Sequence, residues 1–592
     1  MIPPRLTWLL PDPIEPPPVL TGFSPPVATL LARRGIRTDA EAAHFLNAGA
    51  LDLPPVSLMT DADAALDRID RAVTAGEQIA IWGDYDADGM TAVAVWVLAL
   101  RRLGVEPIRY VPSRLAEGYG LSVEGLRSLA GRGVRLVVTC DCGVGNVAEV
   151  AVARELGMDV VVTDHHVPPA VLPEAVAVVD PHRADCRYPN PDLTGAGLAF
   201  RLASELLVRH GVAAPDLAAL AAIGAIADVA PMTGESRAIV RLGLAQLATT
   251  THPGLRGLVA RAAEDPSRPT ARDVGFGIVP RLNAAGRIAD AELALDLLVA
   301  TEPATAEALL AELETVHARR QELTRLAVTR ARVLASATPG TQPLALRDDE
   351  WPAGLLGLVA GRLADELARP VAAATLVEAE VRGSVRAPAD FDVSIGLDAC
   401  AEHLAKRGGH AAAGGFSAAP EAWDAFVTAF AALPRPLPED WPGALAQPNE
   451  VAIDLVLSGR HLDWPLLEEI EGLAPFGAAH GEPVLAITGL VVGEARRVGA
   501  DGSHLSMRMR KGLETLDAIA FGLNPERPTP EPGLAVDLVA TLESRTFEGE
   551  PRLQLRVLDY ASADESPVRL RRRGAAVAGS AAPEGGVLPV AS

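Results

Sequence analysis

Between Gln78 and Val179, five short apolar runs alternate with stretches of helical periodicity. The runs are Ile79–Trp82, Ile108–Val111, Leu136–Thr139, Val160–Thr163 and Ala175–Val179; the helical stretches lie near 90–103, 122–131, 147–156 and around 170. Runs this short, joined by helices, predict a parallel sheet buried on both faces. Thr60 before Asp61-Ala62-Asp63 predicts a capped helix running to Ala75, and Leu193 to Ala227 reads as mostly helical. A long helical pattern, 303–335, begins at Pro303. At 1.5 Å per residue it would reach roughly 45–50 Å, enough to connect two lobes. A second α/β block occupies about 340–432. After a Pro-rich linker, Pro434 to Pro448, come short turn-punctuated runs at Val451–Leu457, Pro483–Val492, His504–Arg510, Leu516–Phe521, Leu534–Leu542 and Arg552–Asp559, which predict a small β-barrel.

Composition narrows the class. With 53 Lys+Arg against 76 Asp+Glu the formal net charge is −23. That excess argues against a simple polycationic nucleic-acid binder but leaves room for local basic patches. Only Lys406 and Lys511 are lysine. The cysteines are Cys140, Cys142, Cys186 and Cys400, with no C-x-x-C pair, so neither a disulfide-built fold nor a zinc ribbon is expected. Met1 to Leu10 lacks a basic region followed by a long apolar one, and no apolar run of about 18 residues occurs, so a soluble, cytoplasmic chain is expected. Nine prolines in the first 26 residues suggest an extended arm on the surface, or a disordered one. The Ala/Gly/Pro-rich end, 563–592, with Arg569, Arg571, Arg572 and Arg573, is expected to be disordered.

The chemistry lies where the runs end. The first leads into Gly83-Asp84-Tyr85-Asp86-Ala87-Asp88-Gly89. Three acids at alternate positions cannot continue a buried strand, because unpaired charges there are costly. Alternate spacing does let two carboxylates point to one place. Gly89 and Thr91 then open a helix, whose N-terminus favours anions. The third run ends in Asp141, flanked by Cys140 and Cys142, and the fourth in Asp164-His165-His166; the helical stretch Ala222–Ala227 ends at Asp228. Ligands of an open parallel sheet bind outside the carboxyl ends of its strands, so these segments converge on one rim. Four carboxylates and one or two imidazoles fit two divalent cations, Mn2+ better than Mg2+, with one carboxylate bridging. Such a pair suits an in-line phosphoryl displacement. The two cysteines alternate in direction with Asp141 and read as packing residues.

These motifs resemble the DHH phosphoesterase superfamily, within it the branch of single-strand-specific exonucleases that carries a DHHA1 domain. The likeness extends through Val111-Pro112-Ser113-Arg114, Glu117-Gly118-Tyr119-Gly120, Thr194-Gly195-Ala196-Gly197, Ala227-Asp228-Val229-Ala230-Pro231, Pro280-Arg281-Leu282-Asn283-Ala284-Ala285-Gly286-Arg287, Gly408-Gly409-His410 and Pro475-Phe476-Gly477. It implies a two-metal 5′-to-3′ exonuclease that degrades single-stranded DNA to 5′-mononucleotides in recombination and repair. By the family pattern Asp86 holds one cation and Asp88 the other; Asp141 bridges them; His165 and Asp228 complete the second site. His166 sits at the scissile phosphate, and Asp84 orients a ligand or the attacking water. Ser236, His317, Ala387 and His480 depart from the pattern, none at a proposed ligand.

The expected organisation is an α/β multidomain chain: an N-terminal arm (1–50), a DHH parallel-sheet domain (51–250), a connector with a long helix (251–335), an α/β DHHA1 domain (336–435), an OB-like β-barrel (436–562) and a tail (563–592). The expected DNA and phosphate contacts are Arg114, Tyr119, Arg281, Asn283, Arg287, Arg320, Ser384, Arg386, Gly408, Gly409 and His410. Ser384 and Arg386 share one side of a strand, and with Arg281 or Arg287 they are expected to grip a terminal phosphate. The Gly408-Gly409 turn is expected to offer backbone N–H donors. Stacking in the barrel is left to Phe476, Phe521, Phe547 and Tyr560. The expected partner is single-stranded DNA, with a single-strand-binding protein and a helicase as further candidates, and the expected state is a nucleoid-associated monomer. Two alternatives are a non-catalytic single-strand-binding scaffold of the same fold and a DHH small-molecule phosphodiesterase; the latter resembles only the first two lobes.

Overall fold

The computed structural model describes residues 1–12, 14, 20–46, 53–114, 117–434, 450–499, 502–523, 527–547 and 550–569. The Pro-rich linker (Pro434 apart), Arg571, Arg572, Arg573 and the side chain of Phe547 lie outside them. Two units emerge: Ala48–Ala446 with Pro475–His480, and Met1–Asn47, Gln447–Ala474 and Gly481–Ser592.

In the first unit, strands β1 (Ile79–Trp82), β2 (Ile108–Tyr110), β3 (Leu136–Thr139), β4 (Asp159–Thr163) and β5 (Ala177–Val179) form a parallel sheet in the order β2-β1-β3-β4-β5. Both faces are buried, as the unbroken apolar runs predict. Ile79, Ile81, Leu136 and Val138 pack toward helices Ala62–Ala75, α1 (Ala87–Arg102) and α2 (Gly195–Arg209). Ala80, Trp82, Val137 and Val160 pack toward helices Val123–Gly131 and Val147–Glu155. The wholly apolar helix α3 (Ala218–Ala227) lies against α1 and ends at Asp228.

Two local expectations fail. No helix forms around 170: Pro168, Pro169 and Pro173 deny the segment its N–H donors, and it joins β4 to β5 without regular structure. The helix Ala62–Ala75 forms without the expected cap: the Thr60 hydroxyl donates to Asp185 O at 3.0 Å, and Asp61, which stands at the N-cap, makes no side-chain cap bond. Asp61 adopts φ 64°, and its carboxylate accepts instead from Val178 N at 3.2 Å and Arg183 Nη1 at 2.7 Å.

The long helix is real and is one element, α5 (Pro303–Ser336). Its first half, through Ala306, Leu310 and Leu313, belongs to the core around the parallel sheet. Its second half, through Ala327, Val328, Ala331 and Ala335, belongs to a separate core with helix α6 (Leu356–Leu367). The second sheet comprises β6 (Leu344–Arg347), β7 (Val371–Val377), β8 (Glu380–Arg386), β9 (Lys406–His410) and β10 (Ala413–Ala418), in the order β9-β10-β8-β7-β6. Gly408-Gly409-His410 is therefore not a turn. It is the fully exposed edge strand β9, and the turn comes after it at Ala411-Ala412.

The second unit holds a closed five-stranded barrel: β11 (Leu485–Val498), β12 (His504–Lys511), β13 (Glu514–Ala520), β14 (Ala535–Phe547) and β15 (Glu550–Ser562). It closes because β11 pairs with both β12 and β14. The run 451–457 divides into two short strands, and a helix not foreseen, Trp464–Gly472, comes after them. Part of the N-terminal arm is built in rather than laid on. Thr7–Leu9 pairs in parallel with Glu450–Ala452, and Trp8 is buried with its Nε1 donating to Asp559 at 2.9 Å. Order also continues past 562: Val568 is buried and Arg569 pairs with Asp537 at 3.0 Å.

Candidate metal centre

Strand order 2-1-3-4-5 reverses direction between β1 and β3, which opens a crevice at their carboxyl ends. Trp82 and Thr139 are register partners there, so Asp84 and Asp141 each lie two residues beyond the same rung. Asp141 holds a left-handed backbone (φ 63°), rare for a side-chain-bearing residue and of the kind that collects at functional sites. Its N–H donates to Thr163 O at 3.1 Å.

Asp86 caps helix α1, accepting from Asp88 N and Gly89 N, both at 3.0 Å. Asp88 is buried and accepts from Gly195 N (2.7 Å) and Ala196 N (3.0 Å) at the start of α2. This explains the Thr194-Gly195-Ala196-Gly197 motif: a side chain at Gly195 would lie 2.5 Å from Asp141 Cβ. Behind Asp88, a carbon on Gly224 would lie 2.3 Å from its Oδ1. The loop is also held from α4 (Val279–Ile288), where Asn283 Oδ1 accepts from Ala87 N at 2.8 Å. A carbon on Gly286 would lie 2.3 Å from Tyr85 O.

Three sets of ligand atoms lie within 4.8 Å of one another: Asp84, Asp86 and Asp141; Asp88, His165 and Asp228; and Asp141, His165 and His166. His165 Nε2 stands 2.9 Å from Asp141 Oδ1 and 3.8 Å from both Asp88 Oδ2 and Asp228 Oδ2. The packed acids disfavour one another's charge. Asp84 is pushed up to about 8 by burial and then by Asp86, and Asp88 up to about 7 by burial, with His165 opposing and Asp228 adding. Burial and the neighbouring carboxylates raise Asp141 well above the usual range. Burial also raises Asp228, against His165. Asp84 Oδ1 is buried without a hydrogen-bond partner. Crowded carboxylates, one imidazole and an orphaned oxygen make a donor set that fits divalent cations.

His166 is held differently from His165. Its Nδ1 is 2.7 Å from Asp164 Oδ1 and 3.0 Å from the Tyr119 hydroxyl, which also donates to Asp141 O. Burial works against its charge, but Asp164 holds it up to about 9. Tyr119, expected as a DNA contact, thus braces the site, and so does Asn283.

Arg114, Arg287, Arg320 and Arg386 converge. Burial and the charges of the other three lower Arg287 to about 10, and burial and Arg114 lower Arg386. Among the described residues none of the four has a carboxylate within 4 Å, and Arg114 also lies over the Tyr85 ring at 4.8 Å. Ser384 and Arg386 do share one face of β8. Arg281 is elsewhere, bound to Glu314 at 2.7 Å and to Gly277 O. Three arginines of the long helix are paired with acids: Arg325 with Glu322, Arg330 with Asp348 and Arg332 with Glu366. Exposed β9 ends at His410.

Two supporting groups escape a reading of the sequence. Asp164 stands out there only as part of a tripeptide, yet it accepts from Val144 N, His165 N and His166 N as well as bonding the His166 ring. Asp180, at the end of β5, is buried beside His182, whose Nδ1 lies 2.6 Å from His165 O. The strand-end rule, applied to the fifth run, points to it.

Comparisons with known proteins agree with this geometry. Residues 78–225 match the DHH family, N-terminal domain, and residues 453–559 match the RecJ OB domain. The chain is 32% identical over 556 residues to the single-stranded-DNA-specific exonuclease RecJ of Bacillus subtilis, covering 91% of this chain and 68% of that one. It is 31% identical over 568 residues to the Escherichia coli protein of the same description, covering 92% and 96%. The crystal structure of RecJ in complex with Mn2+ from Thermus thermophilus superposes with TM-score 0.79 and 30% identity, covering 94% of this chain and 80% of the other. The Mg2+ complex from the same organism gives TM-score 0.74 at 28% identity, covering 94% and 79%.

Proposed function

Since the chain belongs to the RecJ family of single-stranded-DNA-specific exonucleases, we propose that it removes nucleotides from the 5′ end of single-stranded DNA with two divalent cations, Mn2+ or Mg2+. Asp86 and Asp141 would hold one cation, joined by Asp84, which was expected only to orient a ligand or the water but whose oxygens lie among theirs; Asp88, His165 and Asp228 would hold the other, with Asp141 between the sets. When bound, the cations supply Lewis acidity, lowering the pKa of water and offsetting charge on the phosphate. The observation that carries this reading is the contact of the two ligand sets at Asp141 and His165, 2.9 Å apart.

The chain's own residues do the positioning. Gly195, Ala196 and Asn283 fix the carboxylates before substrate arrives, so little reorganisation remains for the reaction. With Nδ1 of His166 tied to Asp164, its other ring nitrogen is the one left to donate to a phosphate oxygen. Arg114, Arg287, Arg320 and Arg386, with Ser384, offer donors to a terminal phosphate, which would select chain ends over internal sites. Arg287 takes the place left open between it and Arg281.

A non-catalytic scaffold is disfavoured because every acid and both histidines of the site are present, and a small-molecule phosphodiesterase because the chain carries the barrel. No helix among the described residues is long and apolar enough to cross a membrane. The reading extends to a nucleoid-associated monomer working in repair and recombination, on strands exposed by a helicase and coated by a single-strand-binding protein. The test is Mn2+-dependent digestion of 5′-labelled single strands and duplexes, with Asp141→Ala beside the parent chain. Release of 5′-mononucleotides from single strands alone, lost in the variant while its thermal unfolding is retained, is the expected result. Metal-dependent cleavage by Asp141→Ala would overturn it.

A further inference from the structure

The helix that braces the metal loop is interrupted. Ala271–Asp273 runs into a single π-turn, Val274–Ile278, and then into α4. A π-turn admits one extra residue and so rotates the helix beyond it; such turns are rare and frequent at functional sites. The rotated helix carries Asn283 and Gly286, turned onto the metal loop. The turn itself displays Phe276.

Phe276 is 82% exposed, although phenyl rings are usually the first groups a fold buries. It stands between two glycines that are both packed down. A carbon on Gly277 would lie 2.6 Å from Ala262 Cβ, and one on Gly275 would lie 3.3 Å from Ile226 Cγ2. Ile226 is two residues before Asp228, and the exposed rim continues through Asp228 to Val229. Arg272, one turn earlier, places its guanidinium 5.8 Å from the Phe276 ring centroid. An open aromatic face beside an arginine is the pairing that holds single-stranded nucleic acid without reading its sequence. The aromatics expected to stack in the barrel region do not all remain available: Tyr560 is fully buried and Phe476 is stacked on His480.

We propose that Phe276 is a stacking platform for a nucleobase of the strand being degraded, with Arg272 facing the adjoining phosphate. This rests on the exonuclease reading above and names a contact with its substrate. Stacking on one ring accepts any base, as an enzyme that must traverse every sequence requires.

The test uses the full chain with Mn2+ and 5′-phosphorylated oligonucleotides, measured at steady state. Phe276→Ala is expected to raise KM about tenfold, the lower part of the range for one lost base–aromatic stack, with the loss falling on KM rather than kcat. Phe276→Trp is expected to restore KM, whereas Phe276→Leu, apolar but without a π-face, is not. An unchanged KM in Phe276→Ala, or rescue by Leu as good as by Trp, overturns the proposal and leaves the ring to a protein partner. If the parent chain digests no single strand, the exonuclease reading itself has failed, a result distinct from either.

Discussion

Asn283 accepts from the backbone N–H of Ala87 at 2.8 Å across 196 residues of sequence, fixing the turn that carries Asp86 and Asp88. A residue expected to touch DNA is thus a brace for the loop of candidate ligands. Asn283→Ala is expected to lower kcat roughly 10–100-fold, the usual cost of losing a group that orients ligands. More Mn2+ should be needed for half-maximal rate, while KM for DNA stays nearly constant. Steady-state kinetics across an Mn2+ titration would show it.

Gly224→Ala places a carbon 2.3 Å from Asp88 Oδ1 and 2.4 Å from Ala196 Cβ. The carboxylate must shift, and a displacement of about 1 Å at a catalytic group costs on the order of 100-fold. Exonuclease rate and Mn2+ affinity should fall together, with the chain still folding cooperatively in a thermal melt.

Arg386 has no carboxylate partner among the described residues and sits beneath Gly357, where an added carbon would lie 3.0 Å from its Nη2. Arg386→Ala is expected to slow digestion of 5′-phosphorylated strands roughly 10–100-fold, matching the loss of a charged hydrogen bond. Strands ending in a 5′-hydroxyl should slow much less. Equal slowing of both would remove Arg386 from end recognition.

Burial pushes the Asp180 carboxyl up to about 7, with the His182 N–H opposing and Asp164 adding. The folded chain therefore holds this proton more tightly than the unfolded chain, whose Asp titrates near about 4. Its contribution to stability is greatest below that pH and is lost as pH rises through about 7. In metal-free buffer, Asp180→Asn is expected to raise Tm above pH 7, with the gain vanishing toward pH 4. The expected size is on the order of 1–2 kcal/mol after allowance for solvent screening. Calorimetry of both chains from pH 4 to 8 would measure it.

Asp559 is fully buried and accepts from Arg5 N, Leu6 N and Trp8 Nε1, while Arg527 Nη2 donates to its other oxygen at 2.7 Å. Removing residues 1–10 would leave that charge short of three donors. A loss of about 3–5 kcal/mol is expected for the barrel unit, against about 1–3 kcal/mol for Trp8→Phe. Denaturant unfolding followed by barrel fluorescence would distinguish them.

Much of the site was legible because charge cannot hide in a buried strand. Asp84, Asp141 and His165 could stand only where apolar runs ended, and a parallel sheet gathers such ends on one edge. The long helix was equally plain from its period. What stayed hidden depended on contacts distant in sequence. Nothing near Asn283 announces Ala87, and nothing in the first ten residues announces Asp559. The extra residue of the π-turn leaves no periodic trace over five positions. Gly408-Gly409 reads as a turn because glycine serves both turns and flat exposed edges; its partner strand decides the matter.

The bond between Trp8 and Asp559 spans 551 residues. On a ribosome adding about 5–20 residues per second, the opening segment would wait roughly half a minute to two minutes for its partner. During that interval Trp8 is an unsheltered indole on a growing polypeptide. The parallel-sheet unit, contiguous but for Pro475–His480, can mature meanwhile. Completion of the barrel unit then waits on Asp559, and products truncated before it, however well their parallel-sheet unit forms, would leave that indole exposed for quality control to recognise.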